Sequence, residues 1–465
     1  MANTTRLHIL LLAASSLAFT HCAGPAEAGG ASDLTVDGVG VGDGDGDGDG
    51  DGDGDGDGGH DDGDGGDDDD DDGGDDDDGG DDDDGGDDDD DDDGGDDDDD
   101  ANDDDDDDDD DDASDDDDDA DDADDDDAGV DDGIDEDAIA ATMPPSYAPP
   151  GGIAAADAPQ FVLFGFDDNR YADGMRWTLD LLADKQNPEG SGNAGTYDGQ
   201  RIKVAFYYTS NALDDGGDEL LDTWAEAVES GHEFANHSVT HADTPKEAGV
   251  EWTDQVGPCT DALVQELGVA ENDVWGFRAP FLSYDSALYD LLGGLGGVHY
   301  DCSVMHIPDD HGADGFNPFS YVWPYTMEDD LHLASTLLTM GTHPGLWMMP
   351  VYNLPMTETG YPYMAGFDTS VYDPQKTGPN FFDMMKWALD MRLADGANRA
   401  PLTIGVHSDL YSANNTAAND RYVNAPLEDR RKALTDFIDY ALQQSNVRIV
   451  TAKQIMAWMS DPVAL

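Results

Sequence analysis

Residues 161–168 read FVLFGFDD. A short run of apolar residues predicts a strand, and two carboxylates follow directly where the run ends. Similar short apolar runs recur at 203–208, 232–236, 274–277, 299–304, 347–352, 402–406 and 447–450. Helix-like stretches lie between several of them, at 175–185, 219–230, 261–267, 381–393 and 427–444. This alternation predicts right-handed crossovers, a mostly parallel sheet and an α/β barrel.

Polar side chains that could take part in catalysis or metal binding fall at the ends of four of these predicted strands. They are Asp167 and Asp168 after the first, His237 and His241 after the third, Arg278 after the fourth and His407 after the seventh. In a parallel α/β barrel the carboxyl ends of the strands form one face, which carries the active site. We therefore expect these side chains to converge.

Two of these residues have the spacing of metal ligands. His237 and His241 stand four residues apart, and on a helical turn that spacing places both imidazoles on one face. Asp168 as a third ligand would leave a position open for water, as a catalytic metal site requires. The set of two nitrogens and one oxygen favours Zn²⁺, with Co²⁺, Ni²⁺ and Mn²⁺ as alternatives. Asp167 would remain free to act as a general base.

Four motifs, in this order along the chain, resemble those of the NodB-homology polysaccharide deacetylases, carbohydrate esterase family 4. They are GFDD at 165–168, NHSVTH at 236–241, FRAPF at 277–281 and GVH at 405–407. Three further stretches resemble the chitin-deacetylase-like branch of that family, namely YYT at 207–209, WPYT at 323–326 and PGLW at 344–347. The resemblance runs from about residue 159 to residue 458.

The resemblance implies a distorted (β/α)7-type barrel that removes acetyl groups from N-acetylglucosamine in a polysaccharide, with chitin-like glycan favoured and peptidoglycan as an alternative. It implies these roles: Asp167 as base, Asp168, His237 and His241 as metal ligands, Arg278 orienting Asp167, the Phe281 backbone N–H as oxyanion donor, and His407 as acid. Asp301 is the candidate partner of His407. The chain departs from the family at 299–303 and at Ser408 and Asp409, where an aromatic or apolar residue is common.

Two rival functions fit parts of the sequence. A glycan-binding pseudoenzyme would lack a base, an acid or a metal ligand, and none is missing here. An acidic calcium-binding surface protein would use the Asp/Gly tract, but this tract has no loop with a bidentate Glu in place, so we expect only weak Ca²⁺ binding there.

The N-terminal segments predict export and a tether. Residues 1–28 resemble a signal peptide, with either cleavage after Ala28 or lipid anchoring at Cys22, so the protein would be secreted or held at the cell surface, as in a bacterial envelope. Residues 29–142 are dominated by Asp and Gly, cannot bury apolar surface and are predicted to be disordered. A Pro/Ala/Gly linker at 143–159 then leads to a catalytic domain at 160–465.

Charge excludes one class of partner. The chain carries 112 acidic and 18 basic residues, for a net charge of −94, and the predicted catalytic domain is itself acidic. Nucleic acid binding depends on clustered Lys and Arg, so nucleic acid is excluded as a partner. The expected partner is a polysaccharide or chito-oligosaccharide.

Three further expectations concern the domain. Cys259 and Cys302 either pair, as an oxidising compartment allows, or remain two buried thiols. The aromatics Trp323, Tyr325, Trp347 and Tyr352 either stack on sugar rings or belong to the core. The segment 307–348 is predicted to be an elaborated loop region at the barrel mouth.

Overall fold

The computed structural model describes residues 134, 138–295, 297–306, 321–328, 340–357, 363–372, 380–421 and 425–465. The predicted export signal, Cys22 and nearly all of the acidic segment 29–142 lie outside the described residues. Within the described ranges, no helix is both long enough and apolar enough to span a membrane.

Strands and helices alternate along most of the described chain, as the sequence predicts. The strands are β1 Gln160–Asp167, β2 Ala205–Tyr208, β3 Glu233–Asn236, β4 Gly276–Phe277, β5 Tyr300–Asp301, β6 Met305–His306, β7 Tyr325–Met327, β8 His343–Met348, β9 Val351–Pro355, β10 Tyr363–Ala365, β11 Leu402–His407 and β12 Val447–Ile449. The helices are α1 Ala172–Leu182, α2 Ala212–Glu229, α3 Trp252–Gln255, α4 Gly257–Leu267, α5 Ser286–Leu292, α6 Asp368–Val371, α7 Phe381–Leu393, α8 Thr416–Arg421, α9 Leu427–Leu442 and α10 Ala452–Ser460.

The main sheet runs in the order β11-β1-β2-β3-β4-β5-β8-β7, and β12 also pairs with β1. Its pairings are parallel except that of β7 with β8. Every residue of β1 is buried, as expected for a central strand covered on both faces. Helix α1 covers the sheet with a stripe of buried residues at helical spacing, which includes Met175, Leu179 and Leu182.

A second, smaller sheet has the strand order β10-β9-β6. Strand β6 follows β5 after three residues, and β9 follows β8 after two. At the far side of the small sheet, the N–H of Gly405 in β11 donates to the carbonyl of Gly366, just after β10 (2.7 Å). The small sheet thus connects the β5 side of the main sheet with β11. The predicted distorted α/β barrel is confirmed.

Two details of the predicted organisation were wrong. The apolar run at 347–352 is not one strand, because β8 ends at Met348 and β9, in the other sheet, begins at Val351. Of the segment 307–348, predicted as a loop region, only residues 321–328 and 340–348 are described, and they contain β7 and β8. A bulge between Thr326 and Met327 and the left-handed Gly345 (φ 84°) break the alternation by which strands are detected.

The Pro/Ala/Gly segment at 143–159 makes backbone hydrogen bonds with the domain. The N–H of Met143 donates to Thr326 Oγ1 (2.7 Å) and the N–H of Trp323 to the carbonyl of Ser146 (2.9 Å). At the other end of the chain, the N–H of Leu465 donates to the carbonyl of Asp157 (2.9 Å). These bonds fix this segment beside β7 and beside the C-terminus.

Candidate metal and catalytic site

The sheet register brings the polar residues of the four motifs to one edge. Asp167 is paired with His407 across β1 and β11, and Asn236, which precedes His237, is paired with Phe277, which precedes Arg278. All four strands run parallel, so their carboxyl ends lie together. The predicted convergence of these side chains is therefore observed in the backbone register.

Asp168, His237 and His241 form a group that can hold a metal ion. One ligand atom from each lies within 4.8 Å of the others. Nε2 of His241 lies 3.3 Å from Oδ1 of Asp168. Two imidazoles and one carboxylate suit a first-row divalent cation, so the residues fit the metal that the motifs imply.

The two histidines meet by a different route from the predicted helical turn. Residues 237–241 are not helical, and Ser238 (φ 73°) and His241 (φ 56°) have left-handed backbone conformations. The N–H of Ser238 donates to Asn236 Oδ1 (2.8 Å), and the N–H of His241 donates to Ser238 Oγ (3.1 Å). These side-chain bonds stabilise a tight turn that leaves the two imidazole centroids 5.0 Å apart.

Hydrogen bonding and burial prepare these groups as ligands. Nδ1 of His237 lies 2.7 Å from the carbonyl oxygen of Arg278, so this nitrogen carries the proton. Nε2 is then unprotonated and can bind a metal ion. Burial lowers the pKa of both His237 and His241 to about 4. Burial alone would raise the pKa of Asp168, but the nearby imidazoles lower it below its ordinary value. Neutral imidazoles and an ionised carboxylate are the forms that bind a cation.

Asp167 is held by Arg278. Nη1 of Arg278 lies 2.5 Å from Oδ1 of Asp167, and both side chains are buried. The guanidinium also donates to the carbonyl of Cys302 (Nε, 3.1 Å) and lies 3.9 Å from the ring centre of Tyr207. Burial raises the pKa of Asp167, and the positive charge of Arg278 opposes that rise. Arg278 therefore fixes the orientation of Asp167 and favours its ionised form.

His407 pairs with Asp368, and the predicted pairing with Asp301 was wrong. Nδ1 of His407 lies 2.8 Å from Oδ1 of Asp368, and the backbone N–H of His407 donates to Oδ2 of Asp368 (2.9 Å). Burial alone would lower the pKa of His407, but Asp368, together with the two aspartates at the end of β1, raises it to about 10. His407 is therefore held in its protonated form at neutral pH.

The carboxylate of Asp301 is hydrogen-bonded by residues other than His407. Its carboxylate accepts hydrogen bonds from Ser303 Oγ (2.6 Å), the Ser303 N–H (2.9 Å) and Tyr289 Oη (3.1 Å). Burial raises the pKa of Asp301 to about 6. Asp368, the residue that the sequence analysis missed, begins the four-residue helix α6, and no periodicity in the sequence marks it.

Backbone strain is concentrated at this site. Of the eight described non-glycine residues with positive φ, six belong to the motifs or adjoin them: Asp168, Asn169, Ser238, His241, Phe281 and Leu282. Such conformations cost about 1–3 kcal/mol each and persist only where the surroundings enforce them. Phe281 (φ 59°), the predicted oxyanion donor, also packs its ring against that of His241, with centroids 4.5 Å apart.

Comparison with known proteins agrees with this geometry. Residues 196–297, which include His237, His241, Arg278 and Phe281, match the family model described as polysaccharide deacetylase. Chitin deacetylase 8 of Bombyx mori is 24% identical over 340 residues, which cover 68% of this chain and 74% of that protein. The predicted resemblance to the polysaccharide deacetylase family is confirmed. The predicted enzyme class, a polysaccharide deacetylase hydrolase, is thereby confirmed.

Two further similarities accompany these. Chitin deacetylase 1 of Bombyx mori is 24% identical over 326 residues, which cover 67% of this chain and 53% of that protein. A second similarity is to the crystal structure of a polysaccharide deacetylase from Mycobacterium smegmatis, whose sequence is 17% identical to this chain. The match covers 68% of this chain and 93% of that one, with a TM-score of 0.39.

The aromatic residues that were candidates for sugar stacking belong to the core of this chain. Trp323, Tyr325, Trp347 and Tyr352 are at most 2% exposed. Cys259 and Cys302 are free and buried, which decides between the two alternatives left open by the sequence. Cys302 Sγ accepts a hydrogen bond from Nη2 of Arg278 (3.2 Å), so this thiol helps to hold the guanidinium.

A glycine in β1 makes room for the Arg278 guanidinium in this site. A Cβ at Gly165 would lie 2.8 Å from both Nη1 and Nη2 of Arg278 and 2.7 Å from Cε2 of Tyr207. We expect Gly165→Ala to displace the guanidinium from Asp167 and to lower the turnover rate by about 10²-fold. Gly257→Ala is the matched control, since a Cβ there meets nothing within 4 Å. Equal rates for both variants and the parent would contradict this account of Gly165.

Proposed function

We propose that this protein is a metal-dependent hydrolase that removes acetyl groups from N-acetylglucosamine residues of a chitin-like polysaccharide. The observation that carries the proposal is one edge of the sheet that holds the Asp168, His237 and His241 group, the Arg278–Asp167 pair and the Asp368–His407 pair together. The two insect relatives named chitin deacetylases support the choice of substrate. Peptidoglycan, which also contains N-acetylglucosamine, is the alternative substrate.

The proposed metal is Zn²⁺, with Co²⁺, Ni²⁺ and Mn²⁺ as alternatives, held by Asp168, His237 and His241. A bound divalent cation would supply Lewis acidity, which polarises the acetyl carbonyl and lowers the pKa of water. The ligand side chains of Asp168 and His241 are 16% and 19% exposed, so a substrate can approach this group from solvent.

The remaining residues divide the proton transfers. Asp167, ionised beside Arg278, takes a proton from the attacking water as the water oxygen bonds to the acetyl carbon. The Phe281 N–H donates to the oxyanion that forms on the acetyl oxygen. The carbon–nitrogen bond then breaks as Nε2–H of His407 protonates the amine, and acetate and a glucosamine residue are released. Asp368 keeps the proton on His407 until that step.

The rival functions are less well supported. A glycan-binding pseudoenzyme would lack one of these groups, and base, acid and ligands are all present. We also propose that the segments before residue 160 serve export to the cell surface or surroundings and tether the domain. Weak Ca²⁺ binding by the acidic tract would accompany this tether rather than define the function.

The test is acetate release from chito-oligosaccharides and from peptidoglycan, measured with the full chain before and after chelation. We expect chelation to abolish acetate release. Added Zn²⁺ or Co²⁺ should restore it, because a bound cation would again polarise the acetyl carbonyl. Full activity in carefully demetallated protein would contradict the metal assignment. Release from peptidoglycan alone would replace the proposed substrate, and release from neither would contradict the proposed activity.

A further inference from the structure

We propose that Ser408 and Asp409 are positioning residues that hold the turn after β1 in the conformation that presents Asp168 to the metal. This inference rests on the proposed metal site. It concerns the two positions after His407 at which the sequence departs from the aromatic or apolar residues common in the family. Neither residue is assigned to ligation or to proton transfer.

The turn after β1 needs an external constraint. Asp168 (φ 68°) and Asn169 (φ 57°) both have left-handed conformations, which non-glycine residues rarely adopt in succession. Within the turn, the N–H of Asn169 donates to the carbonyl of Asp167 (2.9 Å). Strained backbone of this kind persists only when neighbouring groups enforce it.

Asn169 is the first point of constraint. Its side chain is fully buried, and its amide nitrogen donates to the carbonyls of Phe166 (2.8 Å) and Tyr207 (3.0 Å). Its amide oxygen accepts from Oγ of Ser408 (2.8 Å), which is also fully buried. Without Ser408, this buried oxygen would lose its hydrogen bond, and the turn would lose its side-chain link to the segment after β11.

Asp409 is the second point of constraint. Its Oδ1 accepts the backbone N–H of Arg170, the residue after the strained pair (2.7 Å). Its other carboxylate oxygen, Oδ2, is buried without a hydrogen-bond partner in the described part of the chain. An unsatisfied buried oxygen is unfavourable, so gain in stability alone does not explain a carboxylate at this position.

The turn that carries both residues is itself firmly placed. Residues Ser408–Tyr411 form a short 3₁₀ turn directly after β11 and pack against the first turn of α1. A Cβ at Gly174 of α1 would lie 2.4 Å from the Ser408 carbonyl oxygen, so the two backbones are in close contact. One rigid segment therefore carries the proposed acid, His407, and fixes the loop of the proposed base and metal ligand, Asp167 and Asp168.

Metal affinity of the metal-free full chain tests this role independently of substrate. We expect Asp409→Ala and Ser408→Ala to weaken Zn²⁺ and Co²⁺ binding by about 10- to 100-fold, the usual effect of losing a residue that supports a ligand. Asp409→Asn keeps an acceptor for the Arg170 N–H and should recover most of the affinity. The Co²⁺ absorption spectrum should also change in the Ala variants, because the geometry at Asp168 is altered.

Asn187→Ala is the matched control. Asn187 is buried, and its side chain exchanges two hydrogen bonds with the backbone of Ile449, beside the amino-terminal end of β1. We expect this variant to melt at lower temperature with unchanged metal affinity. The inference is overturned if the 408 and 409 variants bind metal as the parent does, or if Asp409→Asn is as weak as Asp409→Ala. Failure of the parent chain to bind metal would instead overturn the proposed function.

Discussion

Asp167→Asn should lower acetate release by about 10²–10⁴-fold, the usual effect of removing a general base, while metal binding is retained. Asn has the same shape as Asp and can still accept a hydrogen bond from Nη1 of Arg278, so the site should stay assembled. It cannot take a proton from water. The measurements are the turnover rate and the metal content of the purified protein.

Asp168→Ala is the comparison that separates the two adjacent carboxylates. Asp168 belongs to the group that can hold the metal, whereas Asp167 is bonded to Arg278. We expect Asp168→Ala to lose most of the metal together with activity. Equal metal loss in both variants would contradict the division of roles, and full activity in Asp167→Asn would remove Asp167 from the mechanism.

Asp368→Asn should move the alkaline limb of the pH–rate profile to lower pH and lower the maximal rate. His407 must be protonated to donate to the leaving amine, so activity is lost as pH rises through its pKa. Among the groups that counter the effect of burial, Asp368 is the largest in raising that pKa to about 10. Asn can still accept from Nδ1–H, but it removes the negative charge, so the pKa of His407 should fall.

Asp301→Asn is the control for this experiment. Asp301 is buried and bonded to Ser303 and Tyr289. Its replacement should leave the alkaline limb where the parent has it, even if stability falls. A shift with Asp301→Asn and none with Asp368→Asn would restore the pairing first expected from the sequence.

The sequence predicted those features that depend on local pattern. The buried run that forms β1 and the apolar run that forms β11 end at Asp167 and His407, so the convergence of these two side chains could be predicted. The pairing of His407 with Asp368 could not, because Asp368 lies 39 residues earlier, in a short helix whose position is fixed by tertiary contacts. The turn between His237 and His241 was mistaken for a helical turn, since their spacing is the same in both and only the Ser238 and Asn236 bonds distinguish them.

The contact between Asp157 and Leu465 has a consequence for how this fold can be joined to other chains. The backbone leaves the domain beside the point at which it enters, and the side chain of Ser460 accepts the N–H of Ala140 in the same region (2.8 Å). A domain with adjacent ends can be inserted into a host loop, or circularly permuted, with a short connection between those ends. The proposed metal ligands and catalytic residues, at the opposite ends of the parallel strands, would keep their surroundings in such a rearranged chain.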